Sequence, residues 1–338
     1  MIAQNRQFAY NCRLKEHQRT NILLSIERQT GREGDILKVI ELRYLTKDYG
    51  GGKGIFDVSL AIEEGEVYGY LGPNGAGKST TIRQLMGFSR PDSGAAFIKG
   101  FECRRGQKEI QKITGYLPGE IAFPEDMTGT SYLDLIAAMR GTKDPSMRQR
   151  LREIFEINTD VRIRRMSKGM KQKLGLIAAF MHDPEILLLD EPTSGLDPIM
   201  QNRFIELIKE EQKRGKTILM SSHIFEEVER TCRRVGIIRE GILIREIPVE
   251  QLRSSGSRKY RIRFENREDA AAMEKMWKGA EPSQGGEEME FTVRDRDIND
   301  FILSLSKVRI RSLEEKNQTL EEYFMEFYGG DGDESSLL

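Results

Sequence analysis

The sequence predicts an α/β fold: a phosphate-loop domain of alternating strands and helices, with an inserted helical subdomain and a small C-terminal α/β appendage. Three observations carry this expectation. VYGYLG (67–72) is a short apolar run that feeds the glycine-rich GPNGAGKST, and a helix is expected from Lys78 to about Met86. ILLLD (186–190) and TILMSS (217–222) are continuous apolar runs, as parallel strands buried on both faces require. Beyond residue 250, strand-like and helical segments alternate again at shorter spacing.

Taken in order, residues 1–36 are polar and without sustained period, and they read as a disordered extension. A second reading is that they are not normally translated: Arg32-Glu33-Gly34 can be encoded by a purine-rich ribosome-binding sequence, and Leu37 by an alternative start codon. LKVIELRYL (37–45) is the first strand-like segment. DMTGTSYLDLIAAMR and SMRQRLREIFEIN look helical and place the helical subdomain at about 120–166, inside a domain spanning 37–249. RVGIIREGILIRE (234–246) reads as a hairpin turning at Glu240-Gly241. The appendage, 250–329, alternates KYRIRFEN, REDAAAMEKMW, EMEFTV, DINDFILSLSK, VRIRSLEEK and TLEEYFMEFY as strand, helix, strand, helix, strand and helix, an alternation that suggests a small α/β unit of ferredoxin-like kind. The acidic, Gly/Ser-rich end, 330–338, is expected to be disordered.

Composition narrows the function classes. Lys and Arg number 53 against 54 Asp and Glu, a net charge of −1, so no broad basic face is available and no nucleic-acid partner is expected. LGLIAAFM (174–181) is far too short to span a bilayer, so any membrane link must go through a partner. NILLSI (21–26) is too short and too far in for a signal peptide. Cys12, Cys103 and Cys232 form no CxxC pair and read as free thiols of a reducing cytosol.

The strongest chemical signal is Gly72-Pro73-Asn74-Gly75-Ala76-Gly77-Lys78-Ser79-Thr80, which fits G-x-x-x-x-G-K-[ST] in its strand-to-helix context. The glycines let successive backbone N–H groups face inward as a nest for polyphosphate oxygens. The helix N-terminus adds partial positive charge. Lys78 supplies a point charge for the β- and γ-phosphates, and Ser79 offers a hydroxyl to Mg²⁺. Asp190, ending a buried strand, can reach the same ion, and Glu191 is placed to polarise an attacking water as general base.

With these motifs, residues 37–247 resemble the ABC ATPase family. MSKGMKQK (166–173) is similar to its signature motif, with Ser167 and Gly169 at the expected Ser and second Gly, and Lys168 and Met170 replacing the usual Gly and Gln. SGLDP (194–198) resembles the D-loop, SSH (221–223) supplies His223 as the switch histidine, and Tyr49 in KDYG matches the aromatic that stacks on adenine. In GYLPGEI, Gly119 stands where the family presents Gln or Glu, with Glu120 one residue later; either the loop shifts by one and Glu120 approaches Mg²⁺ and its water, the reading favoured, or that contact is missing.

The resemblance implies an ABC-type nucleotide-binding domain with ATP and Mg²⁺ as ligands. It also implies a head-to-tail dimer, of identical or different chains, in which Ser167 and Gly169 contact the ATP held by the other chain. A separate transmembrane permease would be the partner, with this chain peripheral on the cytoplasmic face. The YLPGE loop, the SKGMKQ signature and the SLEEKNQTLEEYFMEFYGG ending resemble the exporter branch that carries drugs, antibiotics and bacteriocins. The other class is a soluble non-transport ABC ATPase acting on ribosomes or nucleic acid. Against it stand a single ATP domain, near-neutral charge, and too short a stretch between Lys78 and Asp190 for a coiled coil.

Overall fold

A computed structural model describes residues 38–142, 144–253, 257–277, 280–282 and 286–316. The extension 1–36, Cys12, the segment TLEEYFMEFY and the tail 330–338 lie outside the described residues.

Two sheets build the main domain. The first is antiparallel in the order β2-β1-β4-β5, from β1 (Lys38–Asp48), β2 (Gly54–Glu63), β4 (Ser93–Ile98) and β5 (Phe101–Glu102). The second contains β3 (Val67–Leu71), β6 (Thr114–Leu117), β7 (Ile186–Asp190), β8 (Thr217–Ser222), β9 (Arg234–Arg239) and β10 (Ile242–Pro248), in the order β10-β9-β3-β8-β7-β6. All its neighbours pair parallel except β10, which returns antiparallel on β9 through the turn Glu240-Gly241. The antiparallel sheet is legible only at its first strand in the sequence, because β2 and β4 mix polar and apolar residues through several register shifts.

Every residue of β3, β7 and β8 is buried, since helices pack on one face and helix Lys78–Leu85 with the antiparallel sheet packs on the other. Each leucine of β7 thereby stabilises the fold by about 1.5–3 kcal/mol. One core cluster joins β3, β7 and β8 to the helical region through Leu133, Leu151, Phe155, Ile163, Leu174 and Phe180. A second joins the antiparallel sheet to Tyr68, Tyr70, Ile82, Leu188 and Leu219. The helical region holds helices Gly129–Arg140 and Ser146–Ile154, a 3₁₀ turn at Ile163–Arg165, and then Lys168–Phe180. Thr128 caps the first of these by accepting from Ser131 N at 3.1 Å.

Beyond residue 253, β11 (Ser257–Phe264), helix Arg267–Met276, β12 (Ala280–Pro282), β13 (Glu288–Arg294), helix Ile298–Leu305 and β14 (Ile310–Lys316) follow the β-α-β-β-α-β order of ferredoxin-like units. The sheet order is β12-β13-β11-β14, all antiparallel, and Ile262, Phe264, Met273, Phe291 and Phe301 form its separate core.

Cys103 and Cys232 are buried free thiols, each pushed up to about 12 by burial, which leaves them protonated and unreactive at neutral pH. His182, just past helix Lys168–Phe180, bonds through Nε2 to the Thr114 carbonyl at 3.3 Å, while Nδ1 is buried without a partner. Burial, reinforced by the charge of Arg140, holds the imidazole at about 4. The folded chain therefore takes up this proton later than the unfolded one, so the stability is complete above pH 6.5 and is lost as pH falls toward 4. Between pH 7 and 4.5 the wild type is expected to lose about 2 kcal/mol more unfolding free energy than His182→Gln, after allowance for the ring's partial exposure. Urea melts of the two proteins at both pH values check this, and parallel losses would refute it.

Candidate active site

The candidate residues gather where parallel strands end. β3, β8, β7 and β6 are successive neighbours, and their register aligns Leu71 with Ser222, Asp190 with Ser221, and Leu117 with Leu189. Segments leaving these strands therefore share one edge of the sheet, the usual place for ligands in open α/β folds. The phosphate loop leaves β3, Glu191 leaves β7, His223 leaves β8, and Gly119-Glu120 leave β6.

After β3, Pro73, Asn74 and Gly75 form an exposed turn, closed by Ala76 N donating to Pro73 O at 3.2 Å. Gly77 precedes helix Lys78–Leu85 with φ of 108°, and a Cβ there would lie 2.8 Å from the Gly54 carbonyl oxygen. Both facts require glycine. Ser79 and Thr80 stand half-buried in the first helical turn, where backbone N–H groups are free of intrahelical partners.

Lys78 is only 4% exposed. Its Nζ donates to the carbonyls of Gly72 at 2.7 Å and Pro73 at 3.1 Å, and lies 3.5 Å from Glu191 Oε1. Burial draws its pKa below the usual lysine value, and the Glu191 carboxylate opposes that shift. The same Oε1 of Glu191 is 3.5 Å from His223 Nδ1. One carboxylate oxygen thus stands between an ammonium and an imidazole.

Glu191 adopts φ of 48°, a left-handed conformation that costs a non-glycine residue roughly 1–3 kcal/mol. Its surroundings enforce it: Glu191 N donates to Ser221 Oγ at 3.0 Å, and Gln172 Nε2 donates to the carbonyls of Glu191 at 3.1 Å and Pro192 at 2.8 Å. Asp190 is 2% exposed, and its Oδ1 accepts from Ser221 Oγ at 2.5 Å. Gly119 closes on the other oxygen; a Cβ at this position would lie 2.9 Å from Asp190 Oδ2. Glu120 is exposed.

Ser167 caps helix Lys168–Phe180 by accepting from Met170 N at 3.2 Å, and Gly169 packs on the Gly195 carbonyl. Tyr49, 55% exposed, leaves the end of β1 with Lys47 Nζ 5.5 Å from its ring. The structure thus brings Lys78, Glu191 and His223 together beside Asp190. Among the described residues it draws no hydrogen bond or ion pair from Tyr49, Glu120, Ser167 or Gly169 to that group. Gln172 and Ser221 were not singled out by sequence reasoning. A glutamine on the buried face of a helix, in line with Leu176 and Ala179, is the signal that could have identified the first.

The chain is similar to known proteins in both sequence and fold. The sequence profile of the ABC transporter family matches residues 55–194. The bacitracin transport ATP-binding protein BcrA of Bacillus licheniformis is 39% identical over 225 residues, which are 66% of this chain and 73% of that protein. Its namesake from Enterococcus faecalis is 30% identical over 87% of this chain and 97% of its own length. Among solved structures, an ATP-binding subunit of an ABC transporter superposes with a TM-score of 0.59 at 30% identity, covering 64% of this chain and 92% of that one.

Proposed function

The chain belongs to the ABC transporter family as one of its ATP-binding, ATP-hydrolysing subunits, and from that premise we propose that it drives export through a separate transmembrane permease. No helix among the described residues is long and apolar enough to cross a membrane. The permease would hold the chain at the cytoplasmic face. The relatives are named for bacitracin transport and, in a Bacillus subtilis protein 35% identical over 211 residues, for linearmycin resistance; transport of an antibiotic is the class of work they support.

The single observation that carries the mechanism is the shared position of Glu191 Oε1, 3.5 Å from both Lys78 Nζ and His223 Nδ1. In this reading Lys78 and the backbone from Gly72 to Thr80 hold the ATP phosphates, Tyr49 stacks on the adenine, and Glu191 takes a proton from the attacking water as general base. His223 contacts the γ-phosphate and orients that water. Asp190 is buried with no ion pair among the described residues, a donor that suits a hard divalent cation. Asp190 and Ser79 would hold Mg²⁺, with Glu120 as a further oxygen donor, and the ion when bound neutralises phosphate charge.

Ser167 and Gly169 would serve the ATP held by a second cassette, which fits their making no hydrogen bond or ion pair to Lys78 among the described residues. The γ-phosphate brings charge that both cassettes neutralise, so ATP closes the dimer and hydrolysis loosens it. The three-part division into an ATPase domain at 37–249, its helical subdomain at about 120–166 and the appendage from 250 belongs to the same proposal. Affinity purification of the tagged chain from native membranes in mild detergent tests it. A polytopic membrane protein at near-stoichiometric yield is expected; recovery of the chain alone, or with ribosomal proteins, would overturn the export reading.

A further inference from the structure

Two short loops carry the residues assigned to hydrolysis. One leaves β7 as Glu191-Pro192-Thr193-Ser194, closed by Ser194 N donating to Glu191 O at 3.1 Å. The other leaves β8 as Ser222-His223-Ile224, closed by Ile224 N donating to Ser222 Oγ at 2.9 Å. The side chain of His223 is 48% exposed and that of Glu191 25%, so neither is locked by packing of its own side chain alone.

A third carboxyl, outside the motifs, joins these loops. Glu227 lies on the helix Phe225–Thr231 and is 4% exposed. Its Oε2 accepts from Thr193 Oγ1 at 3.1 Å and from Ser222 Oγ at 2.7 Å. Thr193 and Ser222 are themselves 3% and 2% exposed. One oxygen atom thus receives a hydroxyl from each loop, two residues after the proposed base and one residue before the switch histidine. Its Oε1 is buried without a partner. A carboxyl kept in such a place costs stability unless its bonds return something. Burial, with a further contribution from the Glu191 charge, pushes this carboxyl up to about 7. An alanine or leucine here would avoid that cost, which leaves the two hydroxyl contacts as the property that an oxygen acceptor at this position supplies.

We propose that Glu227 is a positioning residue for ATP hydrolysis: through Thr193 and Ser222 it sets the Glu191 loop and the His223 loop at a fixed separation. Its part is to act through these two loops. The inference rests on the roles assigned above to Glu191 and His223. Its scale follows from geometry, since a shift of about 1 Å in a reacting group can cost on the order of 100-fold in rate.

The experiment is steady-state ATPase kinetics on the full chain, with ATP affinity measured in parallel, for Glu227→Ala, Glu227→Gln, Thr193→Val and the double variant Thr193→Val/Glu227→Ala. Glutamine keeps a carbonyl oxygen that accepts both hydroxyls. Glu227→Gln is therefore expected within about twofold of wild-type kcat, and Glu227→Ala roughly tenfold or more below it, with KM for ATP unchanged in both. Thr193→Val is near-isosteric and keeps the test open if Glu227→Ala does not fold; a several-fold fall in kcat at constant KM is expected. Adding it to Glu227→Ala should change nothing further, because the contact is already gone. Wild-type kcat in Thr193→Val, or a fall in Glu227→Gln as deep as in Glu227→Ala, would overturn the proposal. Glu191→Gln serves as the reference: if it too retains turnover, the assignment of Glu191 fails first, whereas an inactive Glu191→Gln beside unaffected Thr193→Val removes only the role of Glu227.

Discussion

Glu191→Gln is expected to lower steady-state ATP turnover by roughly 10²- to 10⁴-fold while leaving ATP affinity near that of the wild type. The amide keeps the shape of the carboxylate and its hydrogen-bonding reach, but it can neither accept a proton from water nor pair electrostatically with Lys78 Nζ and His223 Nδ1, both 3.5 Å from Oε1. The backbone should stay in place, because the bonds that hold φ at 48° come from Ser221 and Gln172 to main-chain atoms. Loss of kcat without loss of binding separates a role in proton transfer from a role in holding nucleotide. Single-turnover hydrolysis beside equilibrium ATP binding measures both, and unchanged turnover would remove Glu191 as the base.

Lys78→Ala is expected to be the opposite kind of lesion, weakening ATP binding at least tenfold and lowering kcat/KM by roughly 10²- to 10³-fold. Lys78 is a buried cation that donates to two carbonyls of its own loop and faces a carboxylate. Truncation removes the charge proposed to meet the phosphates and leaves Glu191 facing His223 alone. Arginine should not restore function: the pocket receives a compact ammonium that is 4% exposed, and a planar guanidinium demands more room and a different donor geometry. Calorimetric titration with a non-hydrolysable ATP analogue checks the affinity of both variants. Wild-type affinity in Lys78→Ala would show that the backbone nest alone binds the phosphates.

Much of this was legible in the chain because the informative residues are neighbours in sequence. The run from Gly72 to Thr80 needs only a strand before it and a helix after it, and local hydrophobic pattern reports both. Asp190 and Glu191 are likewise marked by the fully apolar run that precedes them, and His223 by its place after TILMSS. The antiparallel sheet was harder to read, since the register shifts of β1 and β2 break the strict alternation on which strand reading depends. At the β6 end, sequence weighed Gly119 against Glu120 and favoured Glu120 for the metal. In the fold Gly119 abuts the Asp190 carboxylate and Glu120 is exposed.

By itself, then, the sequence determined the α/β class, the phosphate loop and the order of the carboxylates and the histidine, because each depends on residue type within a few positions of chain. Only the tertiary structure decided which groups meet: Ser221 with Asp190, Gln172 with the carbonyls after β7, Gly119 with Asp190, and Glu227 with Thr193 and Ser222. These partners belong to different strands and helices, and their contacts follow from the parallel register of β3, β8, β7 and β6. Register is set by how whole faces pack into a shared core, a collective property that no single motif encodes.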